Sequence, residues 1–141
     1  MTVDGTFLTD TPENLYQMGD FLNVPMIIGF NKDEGTLYPY GFLPQYAFSP
    51  IAPVINRTVY EGFVGTMLTL YGKDGDIVKE ATLQEYTDWT IVDDPEADLF
   101  QSSVNFGGDL DFSCPSDKVA RVHTNTGATV YKYFMTHEPS K

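Results

Sequence analysis

The sequence predicts an α/β fold in which two strands flank a long helical stretch, both strands belonging to a larger parallel sheet. A short apolar run, Val24 to Phe30, is nearly continuous instead of alternating, as in strands buried on both faces of a parallel sheet. A second run, Ala128 to Met135, is dense in β-branched and aromatic residues. The residues between them carry helical spacings and caps, and two strands alone leave sheet edges unpaired. A chain of 141 residues is one domain or part of one, and the unpaired edges favour part of one.

Thr11-Pro12-Glu13-Asn14 supplies an N-cap, a proline at the first helical position and an early acid, with Gly19 as the stop. A short helix therefore feeds the first strand, where Pro25 fits only near the start. Beyond Phe30 the chain turns polar through Asn31-Lys32-Asp33-Glu34-Gly35. Functional groups of open parallel sheets gather there, just past the carboxyl ends of strands. The Pro, Gly and Tyr cluster from Gly35 to Pro53 predicts an irregular surface excursion. Val59, Phe63, Met67 and Leu70 recur at the spacing of one apolar helical face, with Gly72 as terminator. Asp94-Pro95-Glu96 repeats the cap signal ahead of Leu99, Phe100, Ser103 and Val104, and Gly107-Gly108 is expected to interrupt that helix. Cys114-Pro115 opens another, through Val119 and Val122 to Gly127.

Hydrophobic residues make up 42% of the chain and aromatics 14%, too much apolar content for disorder. The formal net charge is -12, the wrong sign for a nucleic-acid partner; cations are attracted instead, or the excess simply confers solubility. No stretch approaches roughly 18 consecutive apolar residues, and the start lacks the features of a signal peptide. A complete protein of this sequence would be cytosolic. Two features pull the other way: Asn56-Arg57-Thr58 fits the N-glycosylation acceptor pattern, and Cys114 has no partner in the chain.

The sequence contains no G-x-S-x-G elbow, no Gly-rich phosphate loop, no H-E-x-x-H and no paired cysteines. Neither a cofactor nor a metal site is expected, and self-contained catalysis is unsupported. His123 and His137 are far apart, His123 expected on an exposed helix end and His137 at a strand end. Glu34 is the exception. An acid directly after a buried strand and before a glycine can point across the top of a sheet, orient an imidazole and stabilise its cation; otherwise it is a solvated loop acid.

The run Gly29-Phe30-Asn31-Lys32-Asp33-Glu34-Gly35 resembles the segment of the type B carboxylesterase and cholinesterase family that holds the triad glutamate. Val3-Asp4-Gly5-Thr6-Phe7-Leu8, Thr11-Pro12-Glu13-Asn14-Leu15 and Gly19-Asp20-Phe21 are similar to the family's approach to this strand. Tyr86-Thr87-Asp88-Trp89 resembles a helix-terminal motif of cholinesterases. Asp111-Phe112-Ser113-Cys114-Pro115 and Val130 to His137 resemble the last stretch before the catalytic histidine.

The resemblance implies a partial α/β-hydrolase fold, with residues 1–141 a C-terminal-half portion of one carboxylesterase domain. Glu34 is then the triad acid, the serine elbow lies upstream of Met1 and the catalytic histidine downstream of Lys141. His137 matches a histidine that ends a strand before the catalytic one. Leu37, Tyr38 and Tyr40 fall where the family lines its substrate gorge, Leu37 standing where an aromatic lies nearest the choline site. Trp89 matches a tryptophan packed behind that gorge. Cys114 matches a cysteine that, in secreted members, pairs with one well downstream, here outside the chain. With a glycan at Asn56, that implies a secreted or surface-bound parent.

The implied function is hydrolysis of a small-molecule carboxylic ester, choline or otherwise, by a monomeric or oligomeric parent, this portion being inactive alone. The family also includes adhesion and binding modules that kept the fold and lost catalysis.

Overall fold

The computed structural model describes residues 2–46, 49, 51–73 and 75–137. The Thr11 side chain accepts from the Asn14 N–H, Pro12 opens helix α1 (Pro12–Met18), and Gly19 ends it at φ 73°, a left-handed value glycine adopts without steric cost. Strand β1 (Met26–Asn31) starts after Pro25, which has no N–H to give a ladder. Strand β2 (Val130–Met135) pairs with it in parallel, Met26 opposite Val130 and Asn31 opposite Met135. Among the described residues the sheet consists of these two strands.

One face of this sheet is covered in part, Phe134 on it being still 57% exposed. Lys132 reaches Asp117 of helix α6 (Cys114–Asn125) at 2.9 Å, and the Phe30 and Phe134 rings meet at 5.2 Å on the same side. Side chains alternate across a strand, so Ile27, Tyr131, Tyr133 and Met135 take the other side, where all four are exposed. The expectation that the first strand is buried on both faces is therefore corrected: Ile27 is 75% exposed, because α6 covers one side only.

The main core surrounds helix α3 (Arg57–Leu70), which buries Tyr60, Phe63, Val64, Met67 and Leu68. Ile55, Val92, Leu99 and Phe106 close around them. Burying such apolar side chains contributes roughly 1.5–3 kcal/mol each. Leu70, predicted on this face, is exposed, since it stands at the last position of the helix, beyond the core that covers Phe63 and Met67. Gly72 does follow the helix at positive φ.

Helix α4 (Asp76–Tyr86) has no buried residue, so no strong apolar stripe announced it; the Tyr86 motif marks its end. Trp89, expected in the core, is 50% exposed. Its indole N–H donates to the Gln84 carbonyl at 3.0 Å, which holds the ring along the surface of α4.

Two further expectations change around helix α5 (Phe100–Gly108). Asp94 closes a turn by accepting from the Glu96 N–H, while Asp98 accepts from Phe100 at the start of α5 and from Ile55. Gly107 and Gly108 do not interrupt the helix. It continues through a widened π turn (Asp109–Ser113) directly into α6. A side chain on Gly107 would strike the Tyr38 ring, so this glycine makes room for a neighbour instead of ending a helix.

The segment after Glu34 is more ordered than an irregular excursion. It forms a 3-10 turn (Glu34–Thr36), helix α2 (Leu37–Phe42) and a second 3-10 turn (Pro44–Tyr46), and it buries Pro39 and Pro53. Residues 47, 48 and 50 of the predicted excursion lie outside the described residues. No described helix is long and apolar enough to cross a membrane.

Candidate active site

Glu34 stands three residues past the end of β1, and its position follows from the backbone around it. Its Oε1 accepts from the Asn31 N–H at 2.9 Å. The Lys32 N–H donates to the Met135 carbonyl at 2.7 Å, which extends the pairing of the strands into the turn. Asp33 then adopts φ 60° and ψ 26°, and its carbonyl accepts from the Thr36 N–H at 2.9 Å. Gly35 is buried against α5. A side chain there would overlap the Val104 carbonyl and the Gly108 nitrogen, so only glycine lets the turn lie this close to the helix.

The result is a half-buried carboxylate in the wall of a cleft of about 270 Å³ between the end of the sheet and α5. Asp33, Asp109, Gln101, Asn105 and Ser113 share that wall. Among the described residues the Glu34 carboxylate makes no other hydrogen bond, which leaves its second oxygen available to a donor. Asp109 accepts from the Tyr86 hydroxyl at 3.0 Å, and burial, then the Asp109 charge, push the Tyr86 phenol above its ordinary range. Asp111 on the same π turn accepts from the Tyr71 hydroxyl, and burial raises its carboxyl. Among the described residues no group of three or more His, Cys, Asp and Glu is arranged to hold a metal.

Neither histidine lines this cleft. His123, expected on an exposed helix end, is 5% exposed. It packs between the Phe21 and Tyr16 rings at 4.6 Å and 6.1 Å, because α1 and the segment after it fold over the end of α6. Among the described residues its Nδ1 has no hydrogen-bond partner. His137 is exposed just beyond β2.

The gorge candidates lie on α2, outside the Glu34 cleft. Leu37 is 64% exposed. Tyr38 packs toward Phe63 and Tyr40 meets Phe100 edge-on, with ring centroids 6.4 Å and 6.0 Å apart. Asn56 is exposed and caps α3, its Oδ1 accepting from the Val59 N–H at 3.0 Å. Cys114 is a free, exposed thiol on a second, mainly apolar groove of about 640 Å³ between α1, α4 and α6, which meets the Glu34 cleft at Asp109.

Glu34 stands out in the sequence, but its neighbours in the wall do not. Gln101 and Asn105 could have been found, since residues four apart share one helical face. Asp109 could not, because the π turn that presents it has no sequence signature.

The carboxylesterase family model matches residues 1–141, and the chain belongs to that family, the type B carboxylesterases and cholinesterases. Within it, the chain is similar to Cholinesterase 1 of Branchiostoma lanceolatum, 33% identical over 131 residues, which cover 92% of this chain and 35% of that protein. The chain thus spans about a third of the length of the curated relative it matches.

Proposed function

We propose that this chain supplies the acid of a serine ester hydrolase with a partial α/β-hydrolase fold, Glu34 holding the histidine of the triad. The observation that carries the reading is the Glu34 carboxylate itself: one oxygen is fixed by the Asn31 N–H, and the residue lines a cleft at the carboxyl ends of parallel strands. A carboxylate so held can bond the imidazole N–H, select its tautomer and stabilise its cation while the other ring nitrogen takes the serine proton. The parallel pairing supports the arrangement further. The chain leaves β2 beside the Glu34 turn, with Lys32 bonded to Met135, so a histidine carried downstream starts its path next to the acid.

The substrate is a carboxylic ester, and the formal net charge of -12 favours a cationic one such as a choline ester. Leu37, Tyr38 and Tyr40 are proposed to border it. Leu37, being exposed, is reached without displacing a core contact. Asn56 carries a glycan and Cys114 a disulfide to a cysteine outside the chain, which suit a secreted or cell-surface protein. The isolated chain, with no serine elbow and an open sheet face, hydrolyses no ester.

The test is to express the full-length protein, treat it with a serine-directed organophosphate, and compare choline esters with neutral isosteric esters. Stoichiometric inactivation and a preference for the cationic ester support the reading. Binding without turnover, and no reaction with the reagent, would make the protein a non-catalytic relative.

A further inference from the structure

Asp33 is the one non-glycine residue with positive φ among the described residues, and it immediately precedes Glu34. Left-handed backbone is disfavoured for side chains other than glycine, though aspartate and asparagine tolerate it better than most. Such a conformation persists where its surroundings over-determine it, and it tends to cluster at functional sites.

Here the surroundings come from α5. Gln101 donates from Nε2 to Asp33 Oδ1 at 3.1 Å, and the same nitrogen reaches Asn105 Oδ1 at 2.9 Å, one turn further along the helix. Asn105 thereby points the Gln101 amide at the loop. On the other side of Glu34, Gly35 lies flush against Val104 and Gly108 of the same helix. Both neighbours of Glu34 are therefore fastened to α5, and the residue between them has little freedom in where its carboxylate points.

We propose that Asp33 and Gln101 form a clamp that positions Glu34 for the histidine, a role that rests on the triad-acid reading above. They are positioning residues, acting through Glu34 without touching substrate. Loosening the clamp lets the turn relax toward right-handed backbone and carries the carboxylate away from the imidazole. Misplacement on the scale of an ångström costs up to about a hundredfold in rate. The imidazolium also loses a neighbouring negative charge, so the histidine pKa falls.

The experiment measures kcat, KM and the pH profile of kcat/KM for the full-length enzyme carrying Asp33→Ala, Asp33→Asn, Gln101→Met or Glu34→Gln. Asp33→Ala should lower kcat roughly tenfold to hundredfold with KM little changed, and move the acid limb to lower pH. Asp33→Asn, which tolerates the left-handed backbone and keeps an acceptor for Gln101, should restore both. Gln101→Met leaves the loop sequence intact, so it reads the same shift even where Asp33→Ala fails to fold. If Glu34→Gln abolishes activity while Gln101→Met and Asp33→Ala keep wild-type kcat and acid limb, the clamp is overturned and the triad reading stands. If Glu34→Gln is itself without effect, the triad reading falls and the clamp with it.

Discussion

The backbone N–H of Asn31 donates to Oε1 of Glu34 at 2.9 Å, so the residue that ends the first strand also holds the carboxylate that follows it. Strand and acid are locked by one bond across a turn of three residues. The position of the acid is thereby set by the sheet and by the helix beneath the turn, and each can be perturbed separately.

The contact between the turn and α5 is the first target. A methyl group at Gly35 would overlap the Val104 carbonyl and the Gly108 nitrogen, whereas one at Gly108 would meet Gly35 at an ordinary 3.5 Å. Gly35→Ala should therefore cost about 1–3 kcal/mol of stability, as forced overpacking does. Gly108→Ala, inside a helix, should be neutral or stabilising by up to about 1 kcal/mol. Denaturant midpoints of the two full-length variants compare them directly. Equal losses would mean that the turn does not rest on the helix as described.

Asn56 is assigned two roles, and substitution separates them. Alanine removes the cap on the Val59 N–H and should lower stability by about 1 kcal/mol. Serine or aspartate can still accept that N–H and should hold stability within a few tenths of a kcal/mol. All three abolish the acceptor pattern, so protein secreted from a glycosylating host should lose the same mass in each. A stability loss that tracks the mass loss instead of the capping chemistry would assign the effect to the glycan.

Asp117 gives a pH dependence. Its carboxyl is held below the ordinary value of 3.8 by the Arg121 hydrogen bond first and the Lys132 hydrogen bond second. A depressed carboxylate contributes stability that is complete above the unfolded pKa and is lost as pH falls through the folded one. Attachment of β2 to α6 should thus be constant above about pH 5 and weaken on acidification below 3.8. The effect should be small, because the pair is solvent-exposed. Hydrogen exchange of the β2 amides across this range should show it, and Asp117→Asn should flatten it.

How far the chain could be read in advance depended on whether its signals were local. The α1 cap at Thr11 and stop at Gly19, the end of β2 at Met135 and the stop of α6 at Gly127 were legible, since each depends on a few adjacent residues. What failed depended on tertiary neighbours. Asp94-Pro95 is a sound cap signal, but Asp98 also reaches Ile55, and that contact fixes where α5 begins. Gly107 looked like a break because the Tyr38 ring that fills its place lies far away in sequence. His123 looked exposed because nothing local shows that Phe21 folds over it. At the site, Glu34 was legible from strand, polar turn and family motif. The helix face that fastens its turn was not, for Gln101 and Asp33 meet only in the folded chain.

The most direct test of the central claim is kcat/KM of the full-length protein on its preferred ester, with and without Glu34→Gln. The amide keeps size and shape and removes the charge that supports the imidazolium. The predicted result is a loss of roughly three to four orders of magnitude, carried by kcat, with substrate binding retained. Activity within about threefold of wild type would contradict the assignment of Glu34 as the acid of the site.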